Sequence, residues 1–73
     1  MVVVGGKYKH FKGNIYEVIA LANHTESTDL LVVYKDLQEK SKVWARPIEM
    51  FMSKVDKEKY PNCLQEYRFE RIK

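Results

Sequence analysis

The chain has few of the residues and segments that crosslink a protein or attach it to a membrane. Cys63 is its only cysteine, so no internal disulfide can form and a metal site with two cysteine ligands is excluded. The apolar start, Met1–Val4, is far too short to span a bilayer or to form the core of a signal peptide. A single thiol suits a reducing compartment. We therefore expect a cytoplasmic protein with no membrane partner.

The chain is also short and only mildly charged. Its 73 residues predict one small domain, residues 1–73, near the lower limit at which a hydrophobic core holds a fold without a disulfide or a metal. A net charge of +3 is below that of a dedicated nucleic-acid binder. Residues 7–12, however, hold three lysines and a histidine without an acid. This segment could attract an anion, but lysines that protect an edge strand are the simpler interpretation.

Five short segments have the alternating or β-branched and aromatic composition of strands. They are residues 7–11, 15–22, 30–36, 43–46 and 67–72. Turn residues separate them: Gly13 and Asn14 after the first segment, the polar residues 23–29 after the second, and residues 38–42 after the third. No long stretch keeps a helical period, so a purely helical fold is excluded.

A short helical turn is predicted before the last strand. Pro47 fixes φ and can occupy the first helical position, and Ile48, Phe51, Met52 and Val55 follow at spacings of three and four residues. We therefore predict a mainly β fold, a small antiparallel SH3-like barrel of about five strands with one short helical turn before the last strand. The expected core residues are Tyr16, Val18, Ile19, Val32, Val33 and Phe69.

Aromatic and charged residues collect at the expected strand ends and turns, where they would add little to a core. The candidate ligand-binding residues are His10, Lys12, His24, Glu26, Trp44 and Arg46. Trp44 and Arg46 are two residues apart in a predicted strand and therefore project from one face. An indole beside a guanidinium can stack on a planar ligand and pair with its anionic group. A core tryptophan covered by the arginine stem is the structural alternative.

Several segments, in order along the chain, resemble the DUF1653 family of small bacterial proteins. They are Gly6–Val18, Ala22–Glu26, Val32–Tyr34, Trp44–Phe51 and Arg68–Phe69, which together reach across nearly the whole chain. The resemblance implies a family whose name declares an unknown function, so it supports no activity. Between Val55 and Arg68 the chain is longer than the pattern of this family, and we assign no function to the length of the added stretch, residues 57–66.

The two histidines raise the question of a metal or catalytic site. With Glu26 or Cys63 as a third ligand, they show none of the spacings of zinc sites, so we expect no metal and no cofactor. His24 as a general base oriented by Glu26 is chemically reasonable, but no nucleophile is evident and Cys63 has no neighbour that would stabilise a thiolate. A turn bond from Glu26 to the amides of residues 27–29 is favoured, and we assign no catalytic residue.

These residues favour a binding module over an enzyme. Its ligand would be nucleic acid, a nucleotide or another planar anionic molecule. The expected roles are stacking by Trp44, anion pairing by Arg46 and Lys12, and polar contacts at the rim from His10, His24 and Glu26. The alternatives are a small metabolite enzyme that uses His24 and Glu26, and a module that binds a protein partner through its aromatic surface. The binding hypothesis requires the three stretches that hold these residues to converge in the folded chain.

Overall fold

The computed structural model describes residues 2–72, which form one antiparallel sheet and one helical turn. The strands are β1, Lys7–His10; β2, Ile15–Asn23; β3, Leu30–Asp36; β4, Val43–Pro47; and β5, Phe69–Ile72. Helix α1, Ile48–Phe51, follows β4 directly, because Pro47 lacks the amide hydrogen that would continue strand pairing. No helix within residues 2–72 has the length and apolar composition needed to cross a membrane.

The strands are ordered by antiparallel pairing of neighbours along the chain. β1 to β4 follow one another, and β5 returns to pair with β1, so the order across the sheet is β4-β3-β2-β1-β5. β4 and β5 are therefore the two edges, and the sheet is not closed. The predicted mainly β fold with five antiparallel strands and a helical turn before the last strand is confirmed, although the word barrel applies to it only loosely. The predicted turn at Gly13 is also confirmed by a φ of 107°, which favours glycine.

The two faces of the sheet differ because directly paired antiparallel residues point to the same side. Tyr8 pairs with Tyr16, and this inner face carries the core. Lys7 pairs with Glu17 on the outer face, where Lys7 is exposed. His10 lies on the same face as Tyr8, as the alternation along the first strand predicts.

The core is aromatic and centres on Phe51 and Phe69. Their rings lie nearly parallel, with centroids 4.1 Å apart, and Tyr8 and Tyr34 pack edge-on against Phe51 at 5.3 and 5.4 Å. The remaining members of the cluster are Val2, Val18 and Val32. Phe51 is 1% exposed, so burial of this ring stabilises the one turn of α1, which would be unstable in water by itself.

Two expected core residues lie outside this cluster. Ile19 is 41% exposed because the β2–β3 register shifts just after Val18, which leaves Ile19 unpaired in a bulge. Val33 alternates with the buried Val32 and lies half-buried on the outer face. Tyr16 packs against the cluster but is itself only partly buried.

The long connection between α1 and β5 is fixed by polar contacts. The Lys57 ammonium donates hydrogen bonds to the carbonyl oxygens of Cys63 and Gln65. The side-chain amide of Gln65 donates to the Lys9 carbonyl oxygen at 2.9 Å, across to β1. Residues 57–66 therefore form a loop that is tied to the end of the sheet where β1 and β5 pair.

Replacing Phe51 with alanine should destabilise the protein by about 3–5 kcal/mol, the usual cost of deleting a buried aromatic ring. This is a large part of the roughly 4–11 kcal/mol expected for a chain of 73 residues. Urea denaturation followed by circular dichroism measures the loss. Met52→Ala is the matched control, since Met52 is 46% exposed, and it should cost less than about 1 kcal/mol. Equal losses in the two variants would contradict a core centred on Phe51.

Candidate ligand-binding site

β4 places Trp44 and Arg46 on the inner face of the sheet, as their spacing predicts. Trp44 is paired with Tyr34 and Arg46 with Val32, and both partners are buried. Trp44 itself is 47% exposed, because β4 is an edge strand with no further strand beside it. The indole is therefore part of an open surface and not a core side chain.

Six side chains surround a depression of about 140 Å³ on this face. We call it the aromatic depression, and its lining residues are His10, Tyr16, Tyr34, Trp44, Arg46 and Phe69. The rings of Tyr16, Tyr34 and Phe69 pack edge to face, with centroids between 5.2 and 5.8 Å apart, which fixes the floor. Burial, followed by the Asp36 carboxylate, raises the pKa of Tyr16, so the Tyr16 hydroxyl stays protonated at neutral pH.

His10 reaches this depression from the end of β1. Its Nδ1 accepts the backbone amide hydrogen of Lys12, with the two nitrogens 3.1 Å apart, so the neutral imidazole carries its proton on Nε2. Burial, and then the charges of Arg68, Arg46 and Lys12, lower the pKa of His10 from 6.5 to about 4. At neutral pH His10 is therefore an uncharged side chain that can donate a hydrogen bond from Nε2.

A second depression, of about 530 Å³, adjoins the first and is strongly basic. We call it the cationic depression, and its lining residues are His10, Phe11, Lys12, Arg46, Val55, Asp56, Lys59, Tyr60 and Arg68. It has four cationic side chains and one carboxylate. The two ion pairs described within residues 2–72, Lys42–Glu39 and Lys54–Glu66, involve none of them. The depression therefore has a positive potential that is largely uncompensated.

The one carboxylate of the cationic depression, Asp56, is engaged by its own turn. Its Oδ1 accepts the amide hydrogens of Glu58 at 3.0 Å and Lys59 at 3.3 Å, which is common turn chemistry. The Arg68 Nε donates to the Ser53 hydroxyl at 3.1 Å. These bonds hold Lys59 and Arg68 beside the cationic depression.

Two lysines converge over the Tyr60 ring in the cationic depression. The Nζ atoms of Lys12 and Lys59 each lie 5.7 Å from its centroid, and Phe11 packs against Tyr60 at 4.9 Å. Cation–π attraction of about 0.5–1 kcal/mol at an exposed site favours these positions. Both ammonium groups thereby add to the positive charge around Tyr60, which favours an anion in this depression.

His24 and Glu26 lie at the other end of β2, in the turn to β3. The Glu26 amide donates to His24 Nδ1 at 3.0 Å. The Asp29 amide donates to the Ser27 hydroxyl at 3.1 Å, and not to the Glu26 carboxylate as predicted. β2 has nine residues, so it separates this turn from the β1–β2 turn by roughly 30 Å along the strand. Both side chains are exposed, and neither lines the two depressions.

The structure thus brings together four of the six candidate residues and separates the other two. His10 and Arg46 line both depressions, Trp44 lines the aromatic one and Lys12 the cationic one. His24 and Glu26 instead stabilise a solvent-exposed turn. In the part of the chain that the structure describes, residues 2–72, no group of three His, Cys, Asp or Glu side chains is placed to share a metal ion.

Lys59, Tyr60 and Arg68 are among the lining residues that the sequence reasoning did not name as ligand-binding. The first two come from residues 57–66, to which no role was assigned, because their mixed charges are typical of a solvated loop. Arg68 lies beside Phe69, whose pairing with His10 brings it to the site. That register places Arg68, whereas packing of Phe11 on Tyr60 places the loop residues. No local sequence pattern reveals either contact.

Comparison with protein families gives one informative match. The model of a family described as protein of unknown function (DUF1653) matches residues 6–71, a range that includes nearly all of the sheet and every residue that lines the two depressions. Comparison with curated proteins and with solved structures gives no significant match.

The Cε1–H signal of His10 in an NMR titration should have a midpoint of about pH 4. Because this folded pKa lies below the unfolded value of about 6.5, the stability contributed by neutral His10 is complete above pH 6.5 and is lost as the pH falls towards 4. His10→Asn keeps an acceptor near the position of Nδ1 but takes up no proton. It should therefore lose less stability than the wild type between these pH values. A midpoint near 6.5 would contradict the surroundings described for His10.

Proposed function

Because the chain belongs to the DUF1653 family, whose description assigns no activity, we propose a function from the site itself: the protein is a binding module for a nucleotide, a ligand that joins a planar ring to phosphate. The observation that carries the proposal is the adjacency of two chemically different depressions, which share His10 and Arg46. One is walled by aromatic rings and the other by four cations. A nucleotide has a part that suits each.

The aromatic depression suits one planar ring. Its volume of about 140 Å³ is below the roughly 300–1,000 Å³ of sites that enclose a whole small molecule, so only part of the ligand would enter. The exposed indole of Trp44 offers a stacking face, and stacking of a base on an aromatic side chain contributes about 1–3 kcal/mol. The Tyr16 hydroxyl and His10 Nε2–H supply polar groups for the edge of the ring.

The cationic depression suits the phosphate. Arg46 lines both depressions, so its guanidinium can pair with an anion while the attached ring lies beside Trp44. An Arg–phosphate pair is frequently bidentate, which fixes the orientation of the ligand as well as adding affinity. Lys12, Lys59 and Arg68 provide further positive charge. The carboxylate of Asp56 offsets only one of the four positive charges around the depression.

We propose binding and not catalysis, because His10, the imidazole shared by the two depressions, is a poor proton acceptor. A pKa of about 4 is far below the neutral range in which a general base is most effective, and His10 Nδ1 already accepts the Lys12 amide hydrogen. We place this binding in the cytoplasm, where a reducing environment suits the thiol of Cys63.

Arg46→Ala should weaken the binding of uridine monophosphate by about tenfold or more, since it removes a charge-assisted hydrogen-bonding partner. The fluorescence of Trp44, the one tryptophan of the chain, measures binding, because stacking of the base should quench it. The thermal midpoint should change little. Lys40→Ala, which removes an exposed charge in the turn between β3 and β4, should leave the affinity unchanged. Unfolding of the Arg46 variant, or wild-type affinity in it, would contradict the proposed role.

Bound uridine monophosphate should raise the pKa of His10. The phosphate would offset the charges of Arg68, Arg46 and Lys12, which lower that pKa in the free protein, so the NMR titration midpoint should move upward from about 4. By linkage, affinity should increase as the pH falls from about 5 towards 4, where the phosphate, whose second pKa is about 6, is already a monoanion. Uridine is chosen because its base does not titrate there. A midpoint that stays the same at saturating nucleotide would show that the phosphate lies elsewhere.

A further inference from the structure

A third depression, of about 600 Å³, continues from the cationic one along the loop after α1. The two share Phe11, Lys12, Lys59 and Tyr60. The cationic depression also shares residues with the aromatic one, so shared side chains link the three in a series from Trp44 at the β4 edge to Leu64 in the loop. We call it the binding path.

The third depression extends the positive charge beyond what one nucleotide needs. Lys9, Lys12 and Lys59 line it, and no carboxylate is among its described lining residues. Lys9 belongs to β1, while Lys59 belongs to the loop, so charges from two separate parts of the chain meet there. A mononucleotide with its phosphate beside Arg46 would leave Lys9 unused. A ligand with regularly repeated phosphates would contact the whole series of cationic side chains, from Arg46 to Lys9.

Leu64 gives the same depression an exposed apolar wall. Its relative exposure is 101%, so it makes almost no contact within the protein. The residues on either side of it are nevertheless held, since the Lys57 ammonium binds the carbonyl oxygens of both Cys63 and Gln65. The Gln65 amide is in turn bonded to the Lys9 carbonyl oxygen at 2.9 Å. A large apolar side chain that is held in solvent on a fixed loop is suited to contact a second ring of a bound ligand.

We propose that the ligand of the binding path is single-stranded nucleic acid, with one base beside Trp44, successive phosphates over the cationic depression and the lysines beyond it, and a further base against Leu64. This inference rests on the proposed nucleotide binding and extends it to a polymer. Aromatic side chains interleaved with cations along a groove are the usual means of holding a single strand. A duplex fits less well, because its bases are paired and stacked and cannot enter a depression separately.

The test compares uridine monophosphate with uridine and deoxyuridine tetranucleotides on the full chain. At low salt the wild type should bind a tetranucleotide at least about tenfold more tightly than the monophosphate, because joined units bind as one ligand. Three internucleotide phosphates should give a slope of log affinity against log salt of about −2. Tighter binding of either tetranucleotide supports the proposal, and the better of the two identifies the preferred sugar.

Two variants address the third depression alone, since Leu64 and Lys9 do not line the other two. Leu64→Ser should weaken tetranucleotide binding severalfold without changing the salt slope, whereas Lys9→Gln should weaken it and reduce the slope by about 0.7. Neither should alter the affinity for the monophosphate. Met50→Ser is the matched control for Leu64, because Met50 is also exposed, at 49%, but lines none of the three depressions; it should bind like the wild type.

The outcomes separate this inference from the function on which it rests. If the monophosphate quenches Trp44 and the tetranucleotides bind no more tightly, the polymer is excluded and the nucleotide site remains. If neither binds, both proposals fail. If a short glutamate-rich peptide containing tyrosine binds as tightly as the tetranucleotides and competes with them, the path is a protein-binding surface and the inference is overturned.

Discussion

The stack of Phe51 on Phe69 is the contact on which the arrangement of the site depends. Phe51 ends α1, which follows β4 directly, and Phe69 begins β5, which pairs with β1. Their ring centroids are 4.1 Å apart, so these side chains connect the two edges of the open sheet through the core. Arg46 on one edge strand and His10, paired with the other, therefore meet over the same aromatic floor.

Charge imposes the second constraint on this region. Three cations act on the partly buried imidazole of His10 and make its protonation costly. The low pKa of His10, about 4, and the Lys12 amide that donates to its Nδ1 keep the side chain neutral. The same cations, Arg46, Arg68 and Lys12, leave positive potential for an anionic ligand to compensate. Folding and anion binding are thus linked through one group of side chains.

Much of the fold could be predicted because its signals are local. β3 has the expected bounds, residues 30–36, and the turn at Gly13 has the positive φ that glycine allows. Ile19 could not be placed correctly, because a bulge changes the register and apolar composition alone does not reveal it. The loop residue Lys59 could not be assigned to the site for a similar reason, since a mixed-charge segment looks the same whether it faces solvent or a ligand.

A mainly β fold with a helical turn before the last strand follows from the sequence alone, as does the position of Trp44 and Arg46 on one face. These features follow from residue spacings of two, or of three and four, within one segment. By contrast, His10 and Lys59 join that pair, and His24 does not, because of how the whole chain folds. Those contacts connect distant segments, and they depend on strand order and on the packing of the core, which local spacing does not encode.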